Sequence, residues 1–176
     1  MILTNYFIKK EINKLIRESS ERPHQYRSMD EINKILFICN SKDWNIIRSC
    51  IEKLKAMNKT VSTAIFAADK KDVPTWYSNY LLMRADRDVN IFGFPDISIQ
   101  KQLYQIPADL LIDFTNESSL YMYYMCLKHP ATFKAGIKHS DLSVYDFSII
   151  PPEDNTDLVY LFDQLVNYLK TINSKK

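Results

Sequence analysis

The sequence is short of glycine: Gly93 and Gly136 are the only 2 in 176 residues. An average usage of about 7% would give roughly 12. Loops that bind a phosphate through backbone N–H groups need glycines, because the chain must approach the ligand closely and often take a positive φ. Neither G-x-G-x-x-G nor G-x-x-x-x-G-K-S/T can be written with these two glycines. The two commonest nucleotide-binding loops are therefore excluded.

Paired cysteines and long apolar runs are lacking too. Cys39, Cys50 and Cys126 are odd in number and form no C-x-x-C pair, which favours a reducing compartment over a secreted, disulfide-bonded domain. The apolar N-terminus runs too early into charged residues for a signal peptide. The longest apolar run, 120–127, falls far short of the roughly 20 residues that a membrane span needs. We expect a cytoplasmic protein with no membrane partner.

Charge of one sign is also missing. The 23 Lys and Arg residues are nearly balanced by 21 Asp and Glu, with a net charge of +2. Interspersed charges of both signs are typical of a solvated surface and unlike the basic patch that binds nucleic acid. Hydrophobic residues make up 46% of the chain, as in soluble globular domains. We expect a globular protein with no nucleic-acid partner.

The apolar pattern predicts strands that alternate with helices. Strands are predicted at 35–39, 61–67, 89–92, 109–114, 131–137 and 144–150, and helices at 3–18, 44–54, 99–106, 118–128 and 158–172. For 69–88 one or two helical turns are favoured, with a short strand at 80–83 as the alternative. The last two strands are joined by about seven residues, fewer than a helical crossover takes. The sixth strand is therefore expected to be antiparallel or displaced to an edge.

This order of elements predicts an α/β fold: a mostly parallel sheet of five or six strands with helices on both faces. A Rossmann-like strand order is expected, and a flavodoxin-like order is the alternative. The first helix is an extra N-terminal element, followed by a polar linker. We divide the chain into helix and linker, 1–30, and a single α/β domain, 31–176. The apolar face of that helix is predicted to carry Leu3, Phe7, Ile12, Leu15 and Ile16.

Polar residues follow two of the predicted strands. Asn40, Ser41 and Asp43 follow the first strand, and 115–118 (Thr-Asn-Glu-Ser) follows the fourth. These strands are neighbours in a Rossmann-like order, so both clusters are expected to line one crevice at the carboxyl ends of the strands. Ser41, Asn116 and Glu117 are the predicted ligand-binding residues, and Glu117 is the candidate acid or base. The simpler interpretation is that Asp43, Asn116 and Ser118 only cap helices.

Nucleophilic and metal-binding candidates are weaker. Cys39 ends a buried strand beside a helix start, where a thiol pKa can fall, but no histidine spacing supplies a base. A buried, inert thiol is the favoured interpretation. His129 and His139, with Asp141 and Asp146, are the candidate metal ligands, yet they form no H-x-x-x-H or H-E-x-x-H pattern. We expect no catalytic residue, no metal and no cofactor.

Aromatic residues are abundant, with 11 Tyr and 9 Phe. Trp76, Tyr77 and Tyr80 lie in the least regular segment of the sequence. Exposed aromatic side chains are enriched at protein–protein interfaces, so these three form the predicted interaction surface. Ordinary packing under a long loop is the simpler interpretation.

From Lys34 onward the sequence resembles an uncharacterised bacterial family of small α/β proteins. The segments that carry the resemblance are 88–95 (DVNIFGFP), 109–114 (DLLIDF) and 131–136 (ATFKAG). The resemblance implies no established activity and no catalytic residues. The strand at 109–114, with the helix after it and 134–137 (KAGI), also resembles the N-terminal half of heptosyltransferase-type glycosyltransferases. Those enzymes hold their donor mainly through a C-terminal half.

Two functions remain open. The favoured one is a non-catalytic binding or interaction protein, either a homodimer or bound to a protein partner, because no catalytic constellation is recognisable. The alternative is a small-molecule or anion-binding α/β domain, with an enzyme acting on phosphorylated or sugar substrates included in that class. Fold alone does not decide between them.

Overall fold

The computed structural model describes residues 2–21, 26–74, 79–152 and 157–172. The strands among them are β1 (Lys34–Asn40), β2 (Thr60–Ala67), β3 (Leu81–Arg84), β4 (Leu110–Phe114), β5 (Phe133–Ile137) and β6 (Phe147–Ile149). The helices are α1 (Ile2–Glu21), α2 (Trp44–Ala56), α3 (Ile97–Tyr104), α4 (Leu120–Lys128) and α5 (Leu158–Thr171). None of the described helices is both long enough and apolar enough to cross a membrane.

The six strands form one sheet in the order β3-β2-β1-β4-β5-β6. Every neighbouring pair is parallel. The Rossmann-like order is confirmed, and the strand order reverses between β1 and β4, where Cys39 pairs with Phe114. The carboxyl ends of these two strands therefore lie side by side, which is where open α/β sheets bind ligands.

Helices cover both faces of the sheet. On the α2/α5 face, odd-numbered residues of β1 such as Phe37 pack with these two helices, and the Phe37 and Phe162 rings lie 6.2 Å apart. On the α1/α4 face, the even-numbered residues Leu36 and Ile38 pack with α1, α3 and α4. A strand buried on both faces needs no polar alternation, which explains the continuous apolar run of β1.

Helix α1 lies against α4. Its residues Ile8 and Ile12 are buried, while Phe7 is 44% exposed. The prediction that Phe7 lies on the apolar face of the helix was wrong: Ile8 and Ile12 are four residues apart and share a face, and Phe7 is rotated about 100° away from Ile8. The division of the chain after residue 30 stays a prediction.

Within 69–88, where one or two helical turns were favoured, the structure has a 3-10 turn at Lys70–Asp72 and the third strand, Leu81–Arg84, so the alternative of a short strand at 80–83 was nearly right. The separate prediction of a strand at 89–92 was wrong. Asn90 explains the difference. Its Oδ1 accepts hydrogen bonds from the backbone N–H groups of Phe92 (2.9 Å) and Phe94 (3.1 Å), and Gly93 takes a φ of 82°. An asparagine side chain that closes a turn competes with strand formation.

The sixth strand lies at the edge of the sheet, as one of the two expectations had it, but it is parallel to β5. The antiparallel alternative was wrong, because a connection without a helix, 138–146, suffices for a strand of 3 residues. The ring of Tyr145 anchors this connection: a Cβ on Gly136 would come within 2.8 Å of it. Glycine at 136 is what lets the connection lie against the sheet.

Alternation of Lys134 and Lys138 with apolar residues predicts one solvent-exposed face for β5, and this prediction was wrong. All five residues of the strand are buried, and Lys134 is 2% exposed. Its Nζ donates to the carbonyl oxygen of Leu127 at 2.8 Å. That oxygen belongs to the last turn of α4, where the helix dipole favours a cation.

Candidate functional site

Asn40, the last residue of β1, joins the two polar clusters predicted to share a crevice. Its Nδ2 donates to Glu117 Oε1 at 2.8 Å, and its Oδ1 accepts from the backbone N–H of Asn116 at 3.2 Å. Glu117 is also 3.7 Å from Lys42 Nζ. The side chain of Asn40 is buried, so these bonds fix the loop after β4 to the end of β1. The sequence missed this role for Asn40.

The three predicted ligand-binding residues have different surroundings. Ser41 donates its hydroxyl hydrogen to the backbone oxygen of Asp72, in the turn after β2. Glu117 accepts from Asn40 and pairs with Lys42. Asn116 lines a cavity at the carboxyl edge of the sheet. Their assignment as ligand-binding residues stays a prediction.

That cavity, which we call the edge cavity, has a volume of about 580 Å³. It lies between the N-termini of α2 and α5, beside the ends of β4 and β5. Its polar lining residues are Asp43, Asn116, His139 and Asp157, and its apolar ones are Ile46, Ile137, Pro151, Leu158 and Leu161. A concave, mostly apolar surface with a few convergent polar groups is typical of small-molecule sites.

Asp43 precedes α2 but does not cap it, because its side chain makes no hydrogen bond to the helix. The atom Oδ2 is buried and has no hydrogen-bond partner among the described residues. Burial raises the pKa of Asp43; the charge of Lys42 opposes this and that of Glu117 adds to it. Burial therefore makes the charged form of Asp43 more costly than that of a solvent-exposed or capping aspartate.

The capping interpretation was also wrong for Ser118. Helix α4 is capped by Ser119, whose side chain accepts from the backbone N–H of Met122. Ser118 instead accepts a hydrogen bond from the hydroxyl of Tyr123 at 3.2 Å. Neighbouring serines cannot be told apart as caps without the helix boundary, which sequence patterns locate only within a few residues.

His139 lines the edge cavity from the loop after β5. Its Nε2 lies 2.8 Å from the backbone oxygen of Thr115. Since a carbonyl oxygen only accepts, Nε2 must carry the proton in this bond, and Nδ1 of the neutral ring is an acceptor. The ring is thereby oriented by the loop after β4. No sequence pattern could have indicated this placement, because it depends on the path of the connection 138–146.

Asp157 lines the same cavity and caps α5. Its Oδ1 accepts from the backbone N–H groups of Val159 (2.9 Å) and Tyr160 (3.4 Å). An aspartate just before the strongest helical stripe of the sequence is an N-cap signal, which could have identified this residue. No sequence pattern predicts that the N-terminus of α5 lies beside that of α2.

Other candidates are not brought to the edge cavity. Burial, and then the charges of Asp43 and Asp113, raise the pKa of the buried Cys39 thiol, in agreement with an inert cysteine. His129 bonds to the backbone of Ile106 and Ala131, away from His139. Across the described residues, no group of three or more His, Cys, Asp or Glu side chains is placed to hold a metal ion.

Only part of the predicted interaction surface lies among the described residues. Trp76 and Tyr77 lie outside the described residues. Tyr80 is half-buried and packs against the core of the α2/α5 face. The assignment of these three residues to an interface stays a prediction, and Tyr80 has a packing role in addition.

Comparison with known proteins agrees with the resemblance drawn from the sequence. The model of a family of unknown function, DUF6913, matches residues 5–172. A search of curated proteins found no match. The crystal structure of an exopolyphosphatase-related protein from Bacteroides fragilis is similar, with a TM-score of 0.51 at 14% identity. The alignment covers 89% of this chain but 44% of that one, so the chain spans less than half of the related structure. At this identity the likeness shows the fold alone.

Proposed function

The chain belongs to DUF6913, a family of unknown function, and from that premise we propose that it binds a small molecule in the edge cavity. The observation that carries the proposal is the place of this cavity. It opens at the carboxyl ends of parallel strands, next to the point where the strand order reverses. Ligands of open α/β sheets bind at this place, whatever chemistry they undergo.

The make-up of the cavity supports the same proposal. A volume of about 580 Å³ lies within the range of roughly 300–1,000 Å³ that small-molecule sites occupy. Ile46 and Leu158 contribute apolar walls, whereas Asn116 and His139 contribute polar groups held by the loops after β4 and β5. The hydrogen bonds of Asn40 and His139 to the loop after β4 organise this rim without a ligand.

Phosphate chemistry is the alternative suggested by the name of the similar structure, an exopolyphosphatase-related protein. The described lining of the edge cavity offers such an anion little. It contains Asp43 and Asp157 and neither Lys nor Arg. The nearby Lys42 pairs with Glu117. We therefore treat inorganic phosphate and polyphosphate as probes in the test of this proposal.

The test is a thermal-shift screen with nucleotides, sugars, phosphosugars, polyphosphate, amines and divalent metals. A ligand at 100 times its Kd is expected to stabilise the protein by about 2.7 kcal/mol, or roughly 5–11 °C. Ile46 is 47% exposed at the cavity, so Ile46→Trp narrows the opening without disturbing the core. The shift is expected to disappear in this variant.

The matched control is Ile97→Trp, which adds the same ring at a 70% exposed position on α3. It is expected to keep the full shift. A shift that survives Ile46→Trp would locate the ligand elsewhere on the protein. If no compound of the screen shifts the wild-type protein, the proposal of a small-molecule site is contradicted.

A second candidate function is protein–protein interaction, which is supported by an exposed apolar patch. Tyr6, Phe7, Ile91 and Phe92 form an exposed apolar patch where α1 meets the turn closed by Asn90. The Phe7 ring lies 5.6 Å from that of Tyr6 and 5.8 Å from that of Phe92, and Ile91 is 82% exposed. Contiguous exposed apolar patches mark interaction sites.

Light scattering of the purified protein tests this candidate. A dimer that becomes a monomer in Phe7→Ser/Phe92→Ser, and persists in Trp76→Ala/Tyr80→Ala, assigns the interface to the apolar patch. The opposite pattern assigns it to the surface predicted from the sequence. A monomer at all concentrations, together with an unchanged set of co-purifying proteins, argues against both.

A further inference from the structure

The charged side chains that line the edge cavity, among the described residues, are all acidic. Asp43 and Asp157 are the ionisable residues of its described lining apart from His139. Glu117 lies close enough to raise the pKa of Asp43, and the charge of Lys42, which pairs with Glu117, lowers it. The field of such a lining attracts a cation and opposes a phosphate or a carboxylate.

The two carboxylates differ in what they already bind. Asp157 Oδ1 accepts two backbone hydrogen bonds from the start of α5. Asp43 caps nothing, and its Oδ2 has no partner among the described residues. A buried carboxylate oxygen without a donor costs free energy. Rotation about the Cβ–Cγ bond exchanges the two oxygens, so a donor that reaches either of them offsets that cost.

The apolar residues of the lining indicate what the rest of the ligand is made of. Among the described residues, five apolar side chains line the cavity: Ile46, Ile137, Pro151, Leu158 and Leu161. They suit a hydrocarbon body and offer a bare metal ion nothing to bind. His139 Nδ1 is an acceptor when Nε2 donates to Thr115, so it can take a second N–H of the same ligand.

We propose that the edge cavity binds a small organic cation, an amine or guanidine on an apolar body, with Asp43 as the residue that binds its charge. This inference rests on the proposed small-molecule function and names the chemical class of its ligand. The positive group lies with Asp43, and the hydrocarbon part lies along the walls formed by Ile46, Leu158 and Leu161.

The experiment is isothermal titration with probes of one shape and different charge: phenethylamine as the cation, 2-phenylethanol as the neutral compound and phenylacetate as the anion. Agmatine is added as a guanidine. The cations are expected to bind at least tenfold more tightly than the neutral and anionic probes. Asp43→Asn, which keeps shape and removes charge, is expected to abolish that preference.

The control variant is Asp141→Asn, which removes one carboxylate at an exposed position of the connection 138–146. It is expected to keep the preference for cations. Should Asp43→Asn fold poorly by circular dichroism, Asp43→Ser replaces it. Asp43→Glu, which retains the charge, is expected to retain part of the affinity.

The outcomes separate this inference from the proposed function. If neutral or anionic probes bind as well as the cations, or if Asp43→Asn keeps the preference, the cation assignment is overturned. Binding that Ile46→Trp abolishes still supports a small-molecule site in that case. If none of the probes binds and the broad screen is flat too, the proposed function fails, and the ligand class fails with it.

Discussion

Two polar groupings lie near opposite faces of the same sheet, and they differ in how completely their hydrogen bonds are satisfied. The buried cluster on the α1/α4 face consists of Asp113, Cys126, Lys134 and Tyr145. Asp113 accepts four hydrogen bonds: the backbone N–H and the hydroxyl of Thr115 to Oδ1, and Cys126 Sγ and the Tyr145 hydroxyl to Oδ2. The edge cavity holds Asp43, whose Oδ2 has no partner among the described residues.

His129 and His139, two of the three histidines, repeat the contrast. In His129, Nδ1 accepts from the backbone N–H of Ala131 (3.0 Å), so Nε2 carries the proton and donates to Ile106 (3.2 Å). Both nitrogens are used, and the residue is buried. His139 uses Nε2 in the bond to Thr115 and lines a cavity. A satisfied polar group stabilises one conformation, whereas a group with remaining capacity beside a cavity is available to a ligand.

The largest expected difference between the two regions concerns their carboxylates. Asp113→Ala leaves the hydroxyl of Tyr145 and the side chain of Thr115 without their acceptor and removes a negative charge near Lys134. We expect a loss of about 3–5 kcal/mol in the free energy of unfolding, measured by urea denaturation at pH 7. A loss below about 1 kcal/mol would contradict a structural role for the buried cluster.

The next difference concerns the histidines and pH. Burial, and then the charge of Lys134, lower the pKa of His129 from 6.5 to about 4. The unfolded chain therefore binds a proton between these values that the folded protein does not. The contribution of His129 to the free energy of unfolding is complete above pH 6.5, and about 3 kcal/mol of it is lost as the pH drops to 4. Urea denaturation across this range in the wild type and in His129→Phe measures the effect.

In His129→Phe this part of the pH dependence is expected to vanish, although the variant is less stable throughout. His139→Gln is the matched control and is expected to keep the slope of the wild type. If His139→Gln flattens the profile instead, the assignment of the two histidines to structure and site is reversed.

The smallest expected effect is at Asp43. Because burial raises the pKa of this carboxyl, its charge opposes folding at pH 7, and Asp43→Asn removes the charge at constant shape. We expect a change within about 1 kcal/mol, discounted for partial exposure, in the direction of greater stability. Urea denaturation at pH 7 measures it, beside Asp113→Ala. A loss above about 2 kcal/mol would give Asp43 the same structural role as Asp113.

Much of the fold was predictable because strands such as β1 are apolar and buried on both faces. The continuous run of β1 and the Rossmann-like order follow from patterns that burial on both faces imposes. Strand β3 was only an alternative, since it has 4 residues and is incompletely buried. The segment 89–92 has a strand-like composition, but the side chain of Asn90 closes a turn there. Lys134 was predicted to be solvent-exposed because the carbonyl oxygen that accepts its hydrogen bond belongs to Leu127 in α4, which no local pattern around Lys134 reveals.

The site was predictable only as far as topology determines it. Asn40 and Asn116 meet because β1 and β4 are neighbours, which the strand order implies. Asp43 has the sequence position of a helix cap, and only the missing cap bond distinguishes it. His139 reaches the cavity through the course of a helix-free connection, and Asp157 through the docking of α5. No local sequence pattern predicts either of these two paths.

The pairing of β1 with β4 divides the chain into two consecutive halves, which meet along one seam of the sheet. The first half supplies Asp43 and Ile46 to the edge cavity, and the second supplies the rest of its lining. A molecule bound in the cavity contacts both halves and links them across the seam. Its binding therefore reports that the halves have joined, and it slows their separation in proportion to its occupancy.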